Sequence, residues 1–502
     1  MRLFRGCRSF GGAISNLATG VLSIGLVISA CGTAAPQQTP RSSATSSPSP
    51  ASAFSAMPAA GADDLAASSD LHVWIDDYVK AYGGKVTVGG ADKDASQLLA
   101  AVQADATGFV QKQVIKGTEE SFFVVNGVPL AIQDHGKWRA ILARDISDAK
   151  GAQFALPVLW YQIYDAGFAS AIRNANVLTI TRDLDTGFVF QKLTTQDWKK
   201  LLGHWETIKA ELDAGQIPND IPYDWSVDQV IDFARKNNMA VRAQHLVWNG
   251  DVPDSIRNAG FTKAELLKLL EFTVSVKVIK YKGVISEWNA ADELVVSEFS
   301  TDRWGFWQQN VGLLDATRLS AGIVRRIDPA ATITFADDHQ LEGNLNKDEP
   351  TMGTRLLKYV KILKAEKLID KVDIENNLWV YDPPDEQYME QYLRLIQAEG
   401  VGLAAPEITV CPTKNYTALP RKAYAVVDDP LRAHAELHRR AVDAYLKVGA
   451  YDIGLGDVGD ATSTANYLDP GSNMALFDAQ WKPKMGWYEV LAVMYAAFFT
   501  RV

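Results

Sequence analysis

Cysteine is scarce, three in 502 residues. Cys7 and Cys31 lie in an N-terminal segment that reads as a processed signal, which leaves Cys411 without a partner. No disulfide framework is therefore expected, and core burial must hold the fold together. The 47% apolar composition is ordinary for that purpose. Histidine is also sparse, and its seven copies show no metal-ligand spacing. His434 and His438 stand four apart on a helix-like stretch, outside any H-E-x-x-H frame, and read as a solvated helix face. Gly454, Gly456 and Gly459 approach phosphate-loop spacing but lack the βαβ context such a loop needs. Neither a metal nor an organic cofactor is expected. Basic residues are outnumbered, 50 Lys and Arg against 60 Asp and Glu, for a net charge of −10 and a pI near 5.3. That balance argues against a nucleic-acid partner.

Long apolar runs are absent too, apart from one near the start. Arg2, Arg5 and Arg8 precede an apolar stretch ending in Leu26-Val27-Ile28-Ser29-Ala30, too short for a membrane span and typical of a secretory signal over residues 1–30. Ile28-Ser29-Ala30-Cys31 looks like a bacterial lipobox, with Cys31 the lipidated residue. Residues 31–69 are rich in Pro, Ser, Thr and Ala and cannot offset their ordering entropy, so a disordered tether is expected there. The expectation is an extracytoplasmic monomer, held to the membrane by its lipid anchor alone.

Residues 70–150 read as a small α+β module. A helix-like stretch, Leu71 to Tyr82, is followed by turn glycines, a second helix and two strand-like runs flanking Asn126-Gly127, a strong hairpin signal. With no catalytic cluster, the module reads as a packing or spacer unit in preference to a wall-binding or glycan-binding one. Residues 151–502 alternate β-like and amphipathic helical segments, the rhythm of βα units. Strands are expected near Ala155–Val158, Asn176–Ile180, Ala240–Trp248, Val284–Ala291, Thr332–Ala336, Lys371–Asn376, Gly402–Glu407 and Tyr451–Leu455. Eight of them make an α/β fold of the (β/α)8 (TIM) barrel type.

Two of those strand runs lead into glutamates, Glu293 after Trp288-Asn289-Ala290-Ala291-Asp292 and Glu407 after Leu403-Ala404-Ala405-Pro406. Strands four and seven face each other across a barrel, so their C-terminal ends can oppose two carboxyl groups. That is the requirement of glycoside hydrolysis: a protonated acid at the leaving oxygen and, with retention, a carboxylate that attacks the anomeric carbon. Cys411, four residues past Glu407, reads as a buried strand-end thiol without a catalytic partner.

The flanking residues resemble glycoside hydrolase family 10, the β-1,4-xylanase family, over nearly the whole barrel. Trp288 to Glu293 looks like its W-D-V-V-N-E segment, and Ala404 to Val410 looks like its T-E-L-D-I strand. Val241 to Asn249, with Pro253, is similar to R-G-H-T-L-V-W-H, and Asp328-Pro329-Ala330-Ala331 with Asp337 is similar to a D-P-x-A…N-D pattern. Leu476-Phe477-Asp478 and Lys482-Pro483-Lys484 look like its closing segment. The resemblance implies Glu293 as general acid/base, protonated near neutral pH, and Glu407 as an ionised nucleophile on a polysaccharide or oligosaccharide. It implies sugar contacts at Asp292, Gln244, Asn249, Glu375, Asn377 and Asp337. Aromatic faces stack on sugar rings, although most Trp in a chain this long pack in the core; by position along the chain, Trp248 and Trp379 are the stacking candidates, with Trp304 and Trp307 at the rim.

The sequence departs from the family at several of these positions. Asp292 stands for an asparagine, Gln244 and Asn249 for two histidines with His245 one step away, Asn377 for a histidine and Glu375 for a glutamine. Thr179-Ile180-Thr181-Arg182-Asp183 lacks the second-strand T-P-E-N-E-M-K, and the eighth strand lacks its tryptophan. A changed sugar preference follows.

Overall fold

The computed structural model describes residues 71–293, 295, 305–338, 352–412, 427–462 and 473–501. Cys31 and Trp304 lie outside the described residues, as do the signal and tether segments.

The described residues begin with the helix Leu71–Ala81, the short hairpin β1 (Val86–Val88) and β2 (Ala91–Lys93), and the helix Ala95–Gln103. That second helix starts at a capping box, in which Asp94 accepts from Gln97 N and the Gln97 side chain accepts from Asp94 N. Four antiparallel strands follow: β3 (Val110–Ile115), β4 (Thr118–Val125), β5 (Val128–Asp134) and β6 (Lys137–Ala140). Asn126 and Gly127 join β4 to β5 with φ values of 50° and 82°. Both fall in the left-handed region that a two-residue primed turn needs, and asparagine and glycine reach it most cheaply. The buried end of β4 packs on the C-terminal helix Met485–Tyr495: the Phe122 ring lies 5.2 Å from Tyr495 and 5.4 Å from Phe499, and Tyr82 Oη donates to Glu489 at 2.8 Å. The apolar core of this module is continuous with that of the barrel.

The barrel strands are β7 (Gln153–Val158), β8 (Val177–Ile180), β9 (Ala240–Ala243), β10 (Glu287–Asn289), β11 (Thr332–Asp337), β12 (Lys371–Ile374), β14 (Gly402–Ala404) and β16 (Asp452–Gly454). They form one eight-stranded sheet whose neighbouring strands pair in parallel. The Ala405–Ile453 bridge, with Gly454 N donating to Ala405 O, closes the ends into a (β/α)8 barrel. All eight expected strands are present, shorter at several ends.

Strands six and seven carry a step that the sequence pattern does not reveal. After β12 the chain breaks at Glu375 and resumes as β13 (Asn376–Trp379); after β14 it breaks at Ala405-Pro406-Glu407 and resumes as β15 (Ile408–Cys411). β13 and β15 pair with each other in a separate two-stranded sheet. Proline has no N–H for a ladder and disfavours helical backbone at the preceding residue, which suits Pro406 to a break. Both breaks leave a glutamate where regular pairing stops.

The centre of the barrel holds a charged layer. Arg242 donates to Thr179 Oγ1 (2.8 Å), Asp452 Oδ1 (2.9 Å) and the Pro406 carbonyl (3.2 Å). Lys371 pairs with both Glu287 and Asp452. Burial pushes the Asp452 carboxyl up, but Lys371 and Arg242 hold it below the usual carboxylate range. The apolar core surrounds this layer, between sheet and helices.

Phe122→Ala removes a fully buried ring shared by the module and the C-terminal helix. It is expected to cost about 3–5 kcal/mol of unfolding free energy, read as a shift in the denaturant midpoint.

Candidate active site

Beyond the C-terminal ends of β10, β11, β12 and β14 lie five carboxyl groups that act on one another's charge: Asp292, Glu293, Asp338, Glu375 and Glu407. Each of the three glutamates is raised by burial first, and then by the charge of the neighbours. Glu293 is pushed up to about 7, with Asp292 the leading neighbour. Glu407 is pushed up to about 8, chiefly through Asp338 and Asp292. Glu375 lies well above its usual range through Asp292, Glu407, Asp338 and Glu293. These groups lie close enough to act on one another's charge, and the protons they hold belong to the cluster as a whole.

Glu293 sits four residues past β10 with φ of 48°, a left-handed backbone that a non-glycine residue adopts at a cost of about 1–3 kcal/mol. Its surroundings hold it there. The Trp248 indole Nε1 donates to Glu293 Oε2 at 2.8 Å, and Asp337 Oδ2 accepts from Val295 N at 2.8 Å, fixing the loop beyond. Asp292 N in turn donates to Val247 O at 3.0 Å, tying this loop to the end of strand three.

Glu407 follows the step in strand seven. Thr409 Oγ1 lies 3.4 Å from its Oε1, and Glu407 O accepts from Asn376 N at 2.8 Å. A Cβ at Gly456 would overlap Thr409 Oγ1 and Glu407 Cγ, and one at Gly454 would overlap the Pro406 carbonyl and Arg242. The two glycines of strand eight therefore serve close packing against the Glu407 segment. Gly459 does the same under Trp481.

His245 is the residue that sequence reasoning passed over. Its Nε2 lies 2.9 Å from Asp292 Oδ2 and its Nδ1 3.5 Å from Asp185 Oδ1. Burial alone would lower the imidazole, but Asp292 and Asp185 raise it to about 10, so it carries a positive charge between two carboxylates. Its position one step from Gln244, beside an aspartate next to Glu293, was the only signal. Behind it, buried Lys277 donates to Thr186 Oγ1 and Leu246 O, each at 3.3 Å, and burial lowers its ammonium to about 8.

The other expected contacts divide. Gln244 donates to Glu375 Oε1 at 3.3 Å, and Asn377 donates to Asp338 Oδ2 at 2.9 Å, so both border the carboxyl cluster. Asn249 and Asp337 spend polar atoms on the protein's own backbone, Asn249 Oδ1 accepting from Trp307 N at 2.8 Å. Trp248 is 6% exposed, with the Arg182 guanidinium 4.4 Å from its ring centroid, and Gly250 is packed against the ring. That corrects its expected stacking role, because little of its face is open and its N–H is committed to Glu293. Trp307 is buried, and Trp379 packs with Cys411 and Met474. Cys411 is a buried thiol at the end of β15, as expected.

The expected solvated face at His434 and His438 is also corrected. Both are buried on the helix Pro430–Lys447 with ring centroids 4.4 Å apart, and burial lowers both imidazoles below their usual range. Among the described residues, the group whose geometry approaches a metal-ligand set is His245, Asp292 and Glu375. The His245–Asp292 pair already engages two of its three members.

A closed (β/α)8 barrel with carboxyl groups gathered at the C-terminal ends of its strands has the general form of an enzyme scaffold. Residues 192–493 match the sequence profile of glycosyl hydrolase family 10, and the chain belongs to that family. It is 25% identical over 326 residues to endo-1,4-beta-xylanase C of Paenibacillus barcinonensis, covering 58% of this chain and 28% of that longer protein. It is 26% identical over 320 residues to a beta-1,4-xylanase of Dictyoglomus thermophilum, covering 60% of this chain and 81% of that protein. Native xylanase 10B from Thermotoga maritima has the same fold, with a TM-score of 0.56 at 18% identity over 70% of this chain and 98% of that one.

Two outcomes test this geometry. Gly456→Ala is expected to displace the Glu407 side chain, lowering any turnover steeply while the circular dichroism spectrum stays that of the folded chain. Glu375 has a folded pKa raised above its ordinary 4.5, so its protonated form stabilises the fold. That contribution is complete below about pH 4.5 and is lost as pH rises through the folded value. Glu375→Gln should therefore raise the melting temperature relative to wild type increasingly as pH climbs from 5 to 8, with no difference below about 4.5.

Proposed function

We propose that the protein is a retaining glycoside hydrolase acting on a β-linked polysaccharide or oligosaccharide, xylan-like or another β-1,4-glycan. Glu407 attacks the anomeric carbon while Glu293 protonates the departing glycosidic oxygen, giving a covalent glycosyl-enzyme. Glu293 then takes a proton from water, which displaces Glu407. The observation that carries this reading is the pair of buried glutamates after strands four and seven, both raised in pKa within one carboxyl cluster of a family 10 barrel. Glu293, at about 7, is poised to give and take a proton near neutral pH. Asp292, Gln244, Glu375, Asn377 and Trp379 are the proposed sugar contacts. No cofactor takes part.

A second reading, glycan binding without cleavage, is favoured by one observation. Glu407, which a nucleophile must keep ionised, is itself raised by burial and by the neighbouring Asp338 and Asp292, and the hydroxyl of Thr409 reaches it only at 3.4 Å. Kinetics separate the two readings. Glu293→Ala and Glu407→Ala are each expected to lower hydrolysis of aryl β-xyloside, β-glucoside or β-cellobioside by about 10²-fold or more. Turnover indifferent to both substitutions removes the hydrolase assignment, and binding without turnover in the wild type establishes the second reading.

The proposal extends to location. Residues 1–30 are a lipoprotein signal, Cys31 is the acylated residue, 31–69 tether the module at 70–150 and the barrel at 151–502, and the protein works outside the cytoplasm as a monomer. Cys31→Ala should move it from the membrane fraction to the soluble fraction.

A further inference from the structure

We infer that Tyr161 and Tyr164 form a sugar-stacking platform on the rim of the barrel mouth, a subsite for units of a β-1,4-linked chain beyond the one at Glu407. The inference rests on the glycan-processing reading above and extends it from the reacting sugar to its neighbours in the chain.

The first observation is exposure. Among the described residues, three aromatic side chains keep about half of their surface open: Tyr161 at 52%, Tyr164 at 49% and Tyr451 at 48%. Trp248 and Trp307, expected at the cleft, are buried. An open, amphipathic ring is a surface on which a sugar ring can pack. The three are not placed alike. Tyr451 immediately precedes β16, at the N-terminal end of the barrel, whereas Tyr161 and Tyr164 follow β7 at the C-terminal end, where the carboxyl cluster lies.

The second observation is the position of Tyr161 around the barrel. β7 pairs with β8 on one side and β16 on the other. Tyr161 therefore stands between Asp183, just past β8, and Asp457, just past β16. Its hydroxyl is raised first by burial and then by the charges of these two carboxyls, so the phenol end lies between them while much of the ring stays open. Asp457 follows Gly456, where an added Cβ would overlap Glu407 Cγ. Tyr161 thus belongs to the part of the rim next to Glu407.

The third observation is that both rings are held on one turn. Trp160 N donates to Asp183 Oδ2 at 2.6 Å, Leu159 N to Gln162 Oε1 at 2.8 Å and Asp165 N to Gln162 O at 3.0 Å. Tyr161 leads into the single 3₁₀ turn Gln162–Tyr164, and residues three apart on such a turn eclipse. Gln162 is accordingly buried while Tyr161 and Tyr164 are open. The Trp160 ring meets Tyr161 edge-on, with centroids 6.1 Å apart at 90°, and Tyr164 Oη donates to Gln229 Oε1 on the helix Val227–Lys236. Rings fixed before the ligand arrives lose little further freedom on binding.

The test uses the full-length protein with β-1,4-linked hexamers of xylose and of glucose, against an aryl β-xyloside and an aryl β-glucoside that carry a single sugar. The readout is the ratio of kcat/KM for a hexamer to kcat/KM for the aryl glycoside of the same sugar. Tyr161→Ala is expected to lower that ratio about fivefold or more, chiefly through KM for the hexamer. Adding Tyr164→Ala should lower it further, Tyr161→Phe should keep it near wild type, and Tyr451→Ala, on the opposite face, should leave it unchanged. An unchanged ratio in Tyr161→Ala, or an equal loss on hexamer and aryl glycoside, overturns the inference and leaves the hydrolase reading standing. If the wild type binds a hexamer without cleaving it, the hydrolase reading fails, and calorimetric affinity becomes the readout: weaker binding by Tyr161→Ala but not by Tyr451→Ala supports the inference, and equal binding overturns it. Absence of both cleavage and binding of either hexamer overturns it as well.

Discussion

Much of this barrel depends on one buried cation. The Arg242 guanidinium, 2% exposed, reaches strand two through Thr179, strand eight through Asp452 and the break in strand seven through the Pro406 carbonyl. A charge taken out of water at such a place costs several kcal/mol unless nearly every donor is used and opposite charges lie close. Here they do: Asp452 binds Arg242 directly, and Glu287 lies 3.8 Å away. Lys371 bridges the same two carboxylates from strand six. Strands distant in sequence are thereby held to one axis by bonds that tolerate little displacement.

This polar centre bears on the chemistry above it. Pro406 immediately precedes Glu407, so the residue that anchors the break also sets where the glutamate leaves the sheet. Gly454 and Gly456 are small for the same reason, since side chains there would collide with Arg242 and Pro406 or with Glu407. On the opposite side, Trp248 and Asp337 fix the loop that bears Glu293. The two glutamates thus arrive by different means, one by a break in pairing and the other by a loop held in left-handed backbone. Both end in a volume where burial and like charge act together to keep protons bound.

How much of this was legible in the chain varies from residue to residue. Asn126-Gly127 was readable because a primed turn requires left-handed backbone that few residues accept, and the hairpin lies where that demands. The eight strands were readable from runs of apolar residues separated by amphipathic helices. The steps at Glu375 and Glu407 were not, since β12 with β13, and β14 with β15, read as single strands. Trp248 looked like an open sugar platform because an aromatic residue ends the third strand motif. The fold covers that ring with Arg182 and Gly250 and turns its N–H to Glu293. His434 and His438 looked solvated on a helix-like stretch, yet their side of the helix faces the core.

The amino-acid sequence alone determined the βα rhythm, the hairpin and the two glutamates at the ends of strands four and seven. Each of these is written in near neighbours, through period, turn chemistry or short motif. Only the tertiary structure decided that His245 stands between Asp185 and Asp292, that Arg242 holds Pro406, and that five carboxyl groups act on one another's charge. Those contacts join residues from about 45 to more than 200 positions apart, for instance Trp248 with Glu293 and Arg242 with Asp452. Their energies come from burial and charge, which do not exist until barrel closure excludes water and brings the strand ends together.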